Sequence, residues 1–158
     1  MGLNEAPLLF DFEVASSENF TYIPMSVRFN LDRFGLRITL VQWQQLPLED
    51  RKLLARFPVE EDTQIEPNFD HALFEMLRTH ANVEPEWFTP EESPAWRQTD
   101  SVPDGVAHQA GLAGLAAPSV ARWAELDPFK RYVLAKLSRK PEASHDFVPA
   151  MKEFGAAG

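Results

Sequence analysis

Four histidines, His71, His80, His108 and His145, are the first residues to weigh for chemistry. His71 and His80 lie nine positions apart, on opposite sides of any helix that carries both. No His-Glu-x-x-His or comparable ligand spacing occurs, so no metal site is expected. The chain has no cysteine, which removes disulfides, thiolate ligands, iron–sulfur ligation and a thiol nucleophile together. "GLAGLAAPS" (111–119) brings glycines close to a helix start. It lacks the glycine spacing and the lysine of a phosphate loop, and a turn is the better reading. There is no Gly-x-Ser-x-Gly and no Ser/His/Asp signature. Carboxylates are numerous, but no pair is marked out as a buried acid and base. The residues point away from an enzyme, with no catalytic, cofactor-binding or metal residue to assign.

Charge and apolar residues offer a different chemistry, that of docking. Arg28 and Asp32 form an i, i+4 pair beside an apolar stripe in "IPMSVRFNLD". Lys136, Arg139 and Lys140 make the one dense positive cluster of an acidic sequence, and Phe154 follows near the last helix's end. A positive spot beside an apolar helix end suits an acidic protein surface. Cations completing a helix dipole explain the same cluster without a partner. The candidate partner-binding residues are Pro24, Met25, Arg28, Asp32, Lys136, Arg139, Lys140 and Phe154.

The bulk numbers frame this. The chain has 158 residues, 44% hydrophobic and 25% charged, enough for one globular domain with a sizeable core. Its net charge of −9 disfavours nucleic acid and anionic membranes as general partners. "MGLNEAPLLF" has neither a basic start nor a long apolar run, and no window reaches a membrane-spanning length, so a cytoplasmic protein is expected.

The elements that must position these residues read as helices. "LFDFEV" (9–14) alternates like a strand, but with no second strand to pair it an extended arm over a helical core is expected. "IPMSVRFNLDRFG" (23–35) reads as a helix with Pro24 in the first turn and Gly35 at the left-handed end. Thr39 and Gln42 form a possible capping box for a short helix carrying Val41, Trp43 and Leu46. A further helix starts at Pro47. Ile65, Phe69, Ala72, Leu73, Met76 and Leu77 fall on one helical face. Residues 82–105 form an irregular connection, with Trp87, Phe88 and Trp96 expected against the core. Helices are expected at about 105–113, 118–125, 128–138 and 147–154, the third capped by Asp127 and Pro128.

"WQQLPLEDRKLLARF" (43–57) returns eighty positions later as "WAELDPFKRYVLAKL" (123–137). Trp43/Trp123, Leu46/Leu126, Arg51/Arg131, Leu54/Leu134 and Ala55/Ala135 correspond. The match extends back to Val27/Val106 and Gly35/Gly114 and forward to Phe69/Phe147 and Glu75/Glu153. Recurrence favours scaffold over ligand for the Trp and Arg positions. The expected fold is all-α, with six to eight helices in one domain over 1–158 and a short extended N-terminal arm. Half-repeats at about 24–81 and 105–155 would pack with pseudo-two-fold symmetry.

"FDFE", "IPMSVRFNLDRFGLRITLVQWQQL", "EDRKLL" and "WAELDPFKRYVLAKLSR…FVPAMKEFG" resemble the conserved nitrate reductase-associated proteins. Ile23, Pro24, Met25, Val27, Phe29, Leu31, Asp32 and Gly35, and Arg131 with Leu134 to Arg139, carry the most specific part. The resemblance implies a small cytoplasmic accessory protein that supports assimilatory nitrate reductase or its maturation and does not itself reduce nitrate. Relatives often carry cysteines where this chain has Tyr22, Phe34 and Val59, so a thiol role is not available here. A chaperone-like function through protein–protein binding is the expectation. The alternatives are an interaction module for an unrelated partner, or a molybdopterin carrier using the cluster at 136–140.

Overall fold

Gly35 closes the first long helix as its position requires. Its φ of 69° lies in the left-handed region, and its N–H turns back to the carbonyls of Asp32 and Leu31. The helix it ends, α2, runs Met25–Phe34, with Pro24 one step earlier than expected, at the N-cap. The computed structural model in which these elements are seen describes residues 2–14, 18–60, 65 and 67–157. Residues 61–64 and 66, within the expected polar link, lie outside the described residues.

Among the described residues the chain is helical, with nine α-helices, two 3-10 turns and two two-residue strands. The all-α expectation holds, and the ninth helix is the single turn Asp11–Val14, α1. That turn corrects the reading of "LFDFEV" as wholly extended. Residues before it form neither helix nor strand and bend at Leu3, Glu5 and Ala6, with Asn4 N–H donating to Arg56 O and Leu8 N–H to Ala55 O. At Asp11 the chain coils, and Glu13, which alternates with the apolar Phe12 and Val14, is buried.

Contacts divide the chain into two compact units, 1–90 and 91–158. The first contains α1, α2, α3 (Leu40–Gln45), α4 (Leu48–Leu54) and α5 (Phe69–His80). Thr39 and Gln42 complete the capping box at α3, each side chain holding the other's backbone N–H. The amphipathic helix begins at Phe69, capped by Asn68, so Ile65 precedes it and is not part of it. Val27, Leu31, Trp43, Leu54, Phe69 and Leu73 lie in one buried cluster.

Two strands absent from the sequence reading appear here. Leu36–Arg37 (β1) pairs antiparallel with Glu86–Trp87 (β2), Leu36 opposite Trp87 and Arg37 opposite Glu86. Pairing holds Trp87 at the surface, 59% exposed, with one face against Phe74 at 5.2 Å between centroids. The expectation that Trp87 tucks onto the core is therefore corrected.

The second unit contains the 3-10 turn Ala95–Arg97, α6 (Asp104–Leu112), α7 (Val120–Glu125), α8 (Pro128–Leu137) and α9 (Phe147–Phe154). Ser119 caps α7 through Arg122 N–H, and Asp127 caps α8 through Lys130 N–H with Pro128 at its first position. Packing of α8 against the 95–97 turn and α9 organises this unit, and Trp96 stands edge-on to Tyr132. The half-repeat boundaries at about 24–81 and 105–155 fall one in each unit.

Candidate functional site

The two most distinctive stretches near the N-terminus are joined by one carboxylate. Met25 N–H donates to Glu13 Oε2 at 2.8 Å, and Phe10 N–H donates to Oε1 at 3.2 Å. The first N–H groups of a helix have no partner within it, and Pro24 has no side chain to supply one. Glu13 reaches across twelve positions to do so, with its charge at the positive end of α2. "FDFE" and "IPM" thus form one structural device.

Arg51 and Arg131 each clamp their own unit in the same way. Trp43 Nε1 donates to Phe20 O, and Trp123 Nε1 donates to Gln98 O, both at 2.8 Å. Arg51 donates to Leu46 O at 3.0 Å and to Phe20 O at 2.9 Å. Arg131 donates to Leu126 O and, at 2.8 Å, to Trp96 O. Each guanidinium ties the end of the Trp helix to the preceding 3-10 turn, Glu18–Phe20 in the first unit and Ala95–Arg97 in the second. In the first unit this holds Asn19 and Phe20 at φ of 56° and 52°, where non-glycine residues are strained. Burial pushes the Arg131 guanidinium below its ordinary pKa, and neighbouring Asp127 pulls it back up.

A second matched pair sits on α2 of the first unit and α6 of the second. Asn30 Nδ2 donates to Pro58 O at 3.2 Å. Gln109 Nε2 donates to Lys140 O and Glu142 O, and its Oε1 accepts from Ser144 N–H. Both amides grip the segment after the Arg helix. The first unit is less complete: the buried Asn30 Oδ1 and Ser26 Oγ accept no hydrogen bond. Sequence reading missed Glu13, Asn30 and Gln109. Only the Asn30/Gln109 correspondence, at an offset of 79, could have flagged the amides.

The candidate docking residues divide by burial. Pro24, Met25 and Phe154 are buried. Phe154 also carries the Lys130 ammonium 5.6 Å from its ring centre. Arg28 and Asp32 are half-buried, and Arg28 Nε donates to Ile23 O at 3.2 Å, fastening the helix start. Lys136 is half-buried with its ammonium 6.0 Å from the Tyr132 ring centre. Arg139 and Lys140 are exposed, on the turn that follows α8. The structure places Pro24, Met25, Arg28 and Asp32 in one unit and Lys136, Arg139, Lys140 and Phe154 in the other.

Chemistry at the histidines is limited. His80 meets Asp50 at 3.2 Å, joining α5 to α4. His108 Nε2 lies 2.9 Å from Pro141 O and ties α6 to the turn carrying Arg139 and Lys140. Among the described residues no three His, Asp or Glu side chains gather as a metal site would require. No helix of the described residues is long and apolar enough to cross a membrane.

No curated protein and no solved structure matches the chain significantly. A family model does, over residues 9–154, a span that runs from the arm holding Glu13 to Phe154 at the end of α9. The chain belongs to the conserved nitrate reductase-associated protein family.

Proposed function

We propose that the protein is a non-enzymatic accessory factor that binds nitrate reductase, or a component of its maturation machinery, and supports its activity in the cytoplasm. Family membership over 9–154 is the observation that carries this reading. The division of labour among the signature residues supports it. Glu13, Arg51, Trp123 and Arg131 spend their polar groups on backbone carbonyls and N–H groups inside their own units. The exposed Arg139 and Lys140 offer positive charge on a chain of net charge −9. Such a patch orients an acidic partner surface and speeds encounter. The matched clamps also support reading the two units as copies of one duplicated element.

The test is affinity purification of the tagged chain from cells grown on nitrate, with the eluate identified by mass. Recovery of nitrate reductase or a maturation protein, lost on Arg139→Glu/Lys140→Glu, is expected. An eluate without any molybdoenzyme component contradicts the reading.

A further inference from the structure

Gly35 and Gly114 make matching left-handed turns in the two units, and among the described residues only the first is covered. In the first unit β2 lies over it: Phe88 N–H donates to Gly35 O at 2.9 Å, and a Cβ on Gly35 would sit 2.2 Å from Phe88 O. In the second unit Gly114 has almost the same φ, 70°, yet nothing lies within 4 Å of its Cβ position. Leu115 and Ala116, which follow as Leu36 and Arg37 follow Gly35, pair with no strand among the described residues. Leu112 and Val120 flank this turn at 51% and 48% exposure. From Gly111 to Ala121 there is no charged residue. Leu115 N–H turns back to Ala110 O at 2.9 Å, so the groups on offer beside the exposed apolar side chains are Gly114 O and Ala116 N–H, counterparts of Gly35 O and Arg37 N–H. These form a template for an added strand.

Cations stand close by. Gln109 and His108, on the same helix as Leu112, hold the turn containing Lys140 and Pro141. Leu112 follows them by three and four positions, about 4.5–6 Å along the helix. A segment of a few extended residues, about 3.3 Å each, is long enough to reach from the glycine turn towards Arg139 and Lys140.

We propose that Leu115–Ala116 of the second unit accepts an extended segment of a partner protein, paired as Glu86–Phe88 pairs with the first unit's turn. The segment carries an aromatic side chain, which rests on Leu112 and Val120, and acidic residues, which face Arg139 and Lys140. This deepens the docking reading and rests on it only for the partner's identity.

The chain itself supplies a probe, the synthetic peptide Asn82–Pro90 (NVEPEWFTP), which combines Glu84 and Glu86 with Trp87 and Phe88. Titrated into the isotope-labelled full chain, it should shift the backbone amide signals of 112–117 and of Arg139 and Lys140, and saturate. Ala116→Pro, which removes a strand N–H, and Leu112→Asp should each weaken binding at least tenfold. Circular dichroism checks that both variants fold, and Leu112→Asp decides if the proline variant does not. No shift at the peptide's solubility limit, shifts confined to Leu36–Arg37, or unchanged binding to Leu112→Asp overturns the proposal. So does concentration-dependent dimerisation through 112–117 in the free chain, since a second copy would then be the occupant. Loss of the peptide result leaves the recovery of nitrate reductase standing, and the reverse also holds.

Discussion

Replacing Glu13 by alanine strips the acceptor from two backbone N–H groups, one of them at the buried start of α2. An unsatisfied buried donor costs about 1–3 kcal/mol, so Glu13→Ala should lower unfolding stability by that amount in a denaturant titration. Glu13→Gln keeps an acceptor oxygen and should recover part of the loss. The two arginines provide a graded comparison. Arg131 is 7% exposed and Arg51 is half-buried, while their acceptors correspond. Truncation to methionine keeps the stem and leaves carbonyls unpaired. Charged hydrogen bonds are worth about 1.5–3 kcal/mol, so Arg131→Met should cost at least that much and more than Arg51→Met. Equal costs would show that water replaces the guanidinium equally well at both places.

At the level of elements, the two glycine turns separate backbone conformation from packing. Gly114→Ala meets open space and should cost only the left-handed penalty of about 1–2 kcal/mol. Gly35→Ala adds a collision with Phe88 O and should cost distinctly more, with β2 detaching from β1. Thermal melts of the two variants measure the difference. Helices with strong local signals were legible in the sequence. Thr39 with Gln42, Asp127 with Pro128, and Gly35 each carry their own capping chemistry, which depends on near neighbours. Pairing of Leu36 with Trp87 spans some fifty positions and leaves no periodic trace in two residues. The strand-like alternation of Phe10 and Phe12 misled because a carboxylate's long-range bond to Met25 fixes Glu13 inside. Ile65 misled in the other direction: it fits the helical period, but Asn68 starts the helix after it.

Across the whole molecule, the sequence echo between 43–57 and 123–137 is matched by bonds. Trp and Arg in each unit hold carbonyls of a preceding 3-10 turn or, for Trp123, of Gln98 just after it. That explains why these positions recur without requiring a ligand, and it leaves function to what the two units do not share. Of the candidate docking residues, Arg139 and Lys140 were legible as a positive run. The burial of Pro24, Met25 and Phe154 was not, because an apolar residue reads alike whether it faces a partner or its own core. Arg139 and Lys140 are exposed, so Arg139→Glu/Lys140→Glu should change stability by no more than about 0.5 kcal/mol. Any effect of that variant on partner binding would then be an effect on the surface and not on the fold.

The most direct measurement is nitrate reductase activity in extracts of nitrate-grown cells that lack this protein and are complemented either with the wild-type chain or with Arg139→Glu/Lys140→Glu. The account predicts lowered activity in the deletion, restoration by the wild type, and failure of the folded charge-reversed variant to restore it. Unchanged nitrate reductase activity and full molybdenum cofactor loading in the deletion would contradict it.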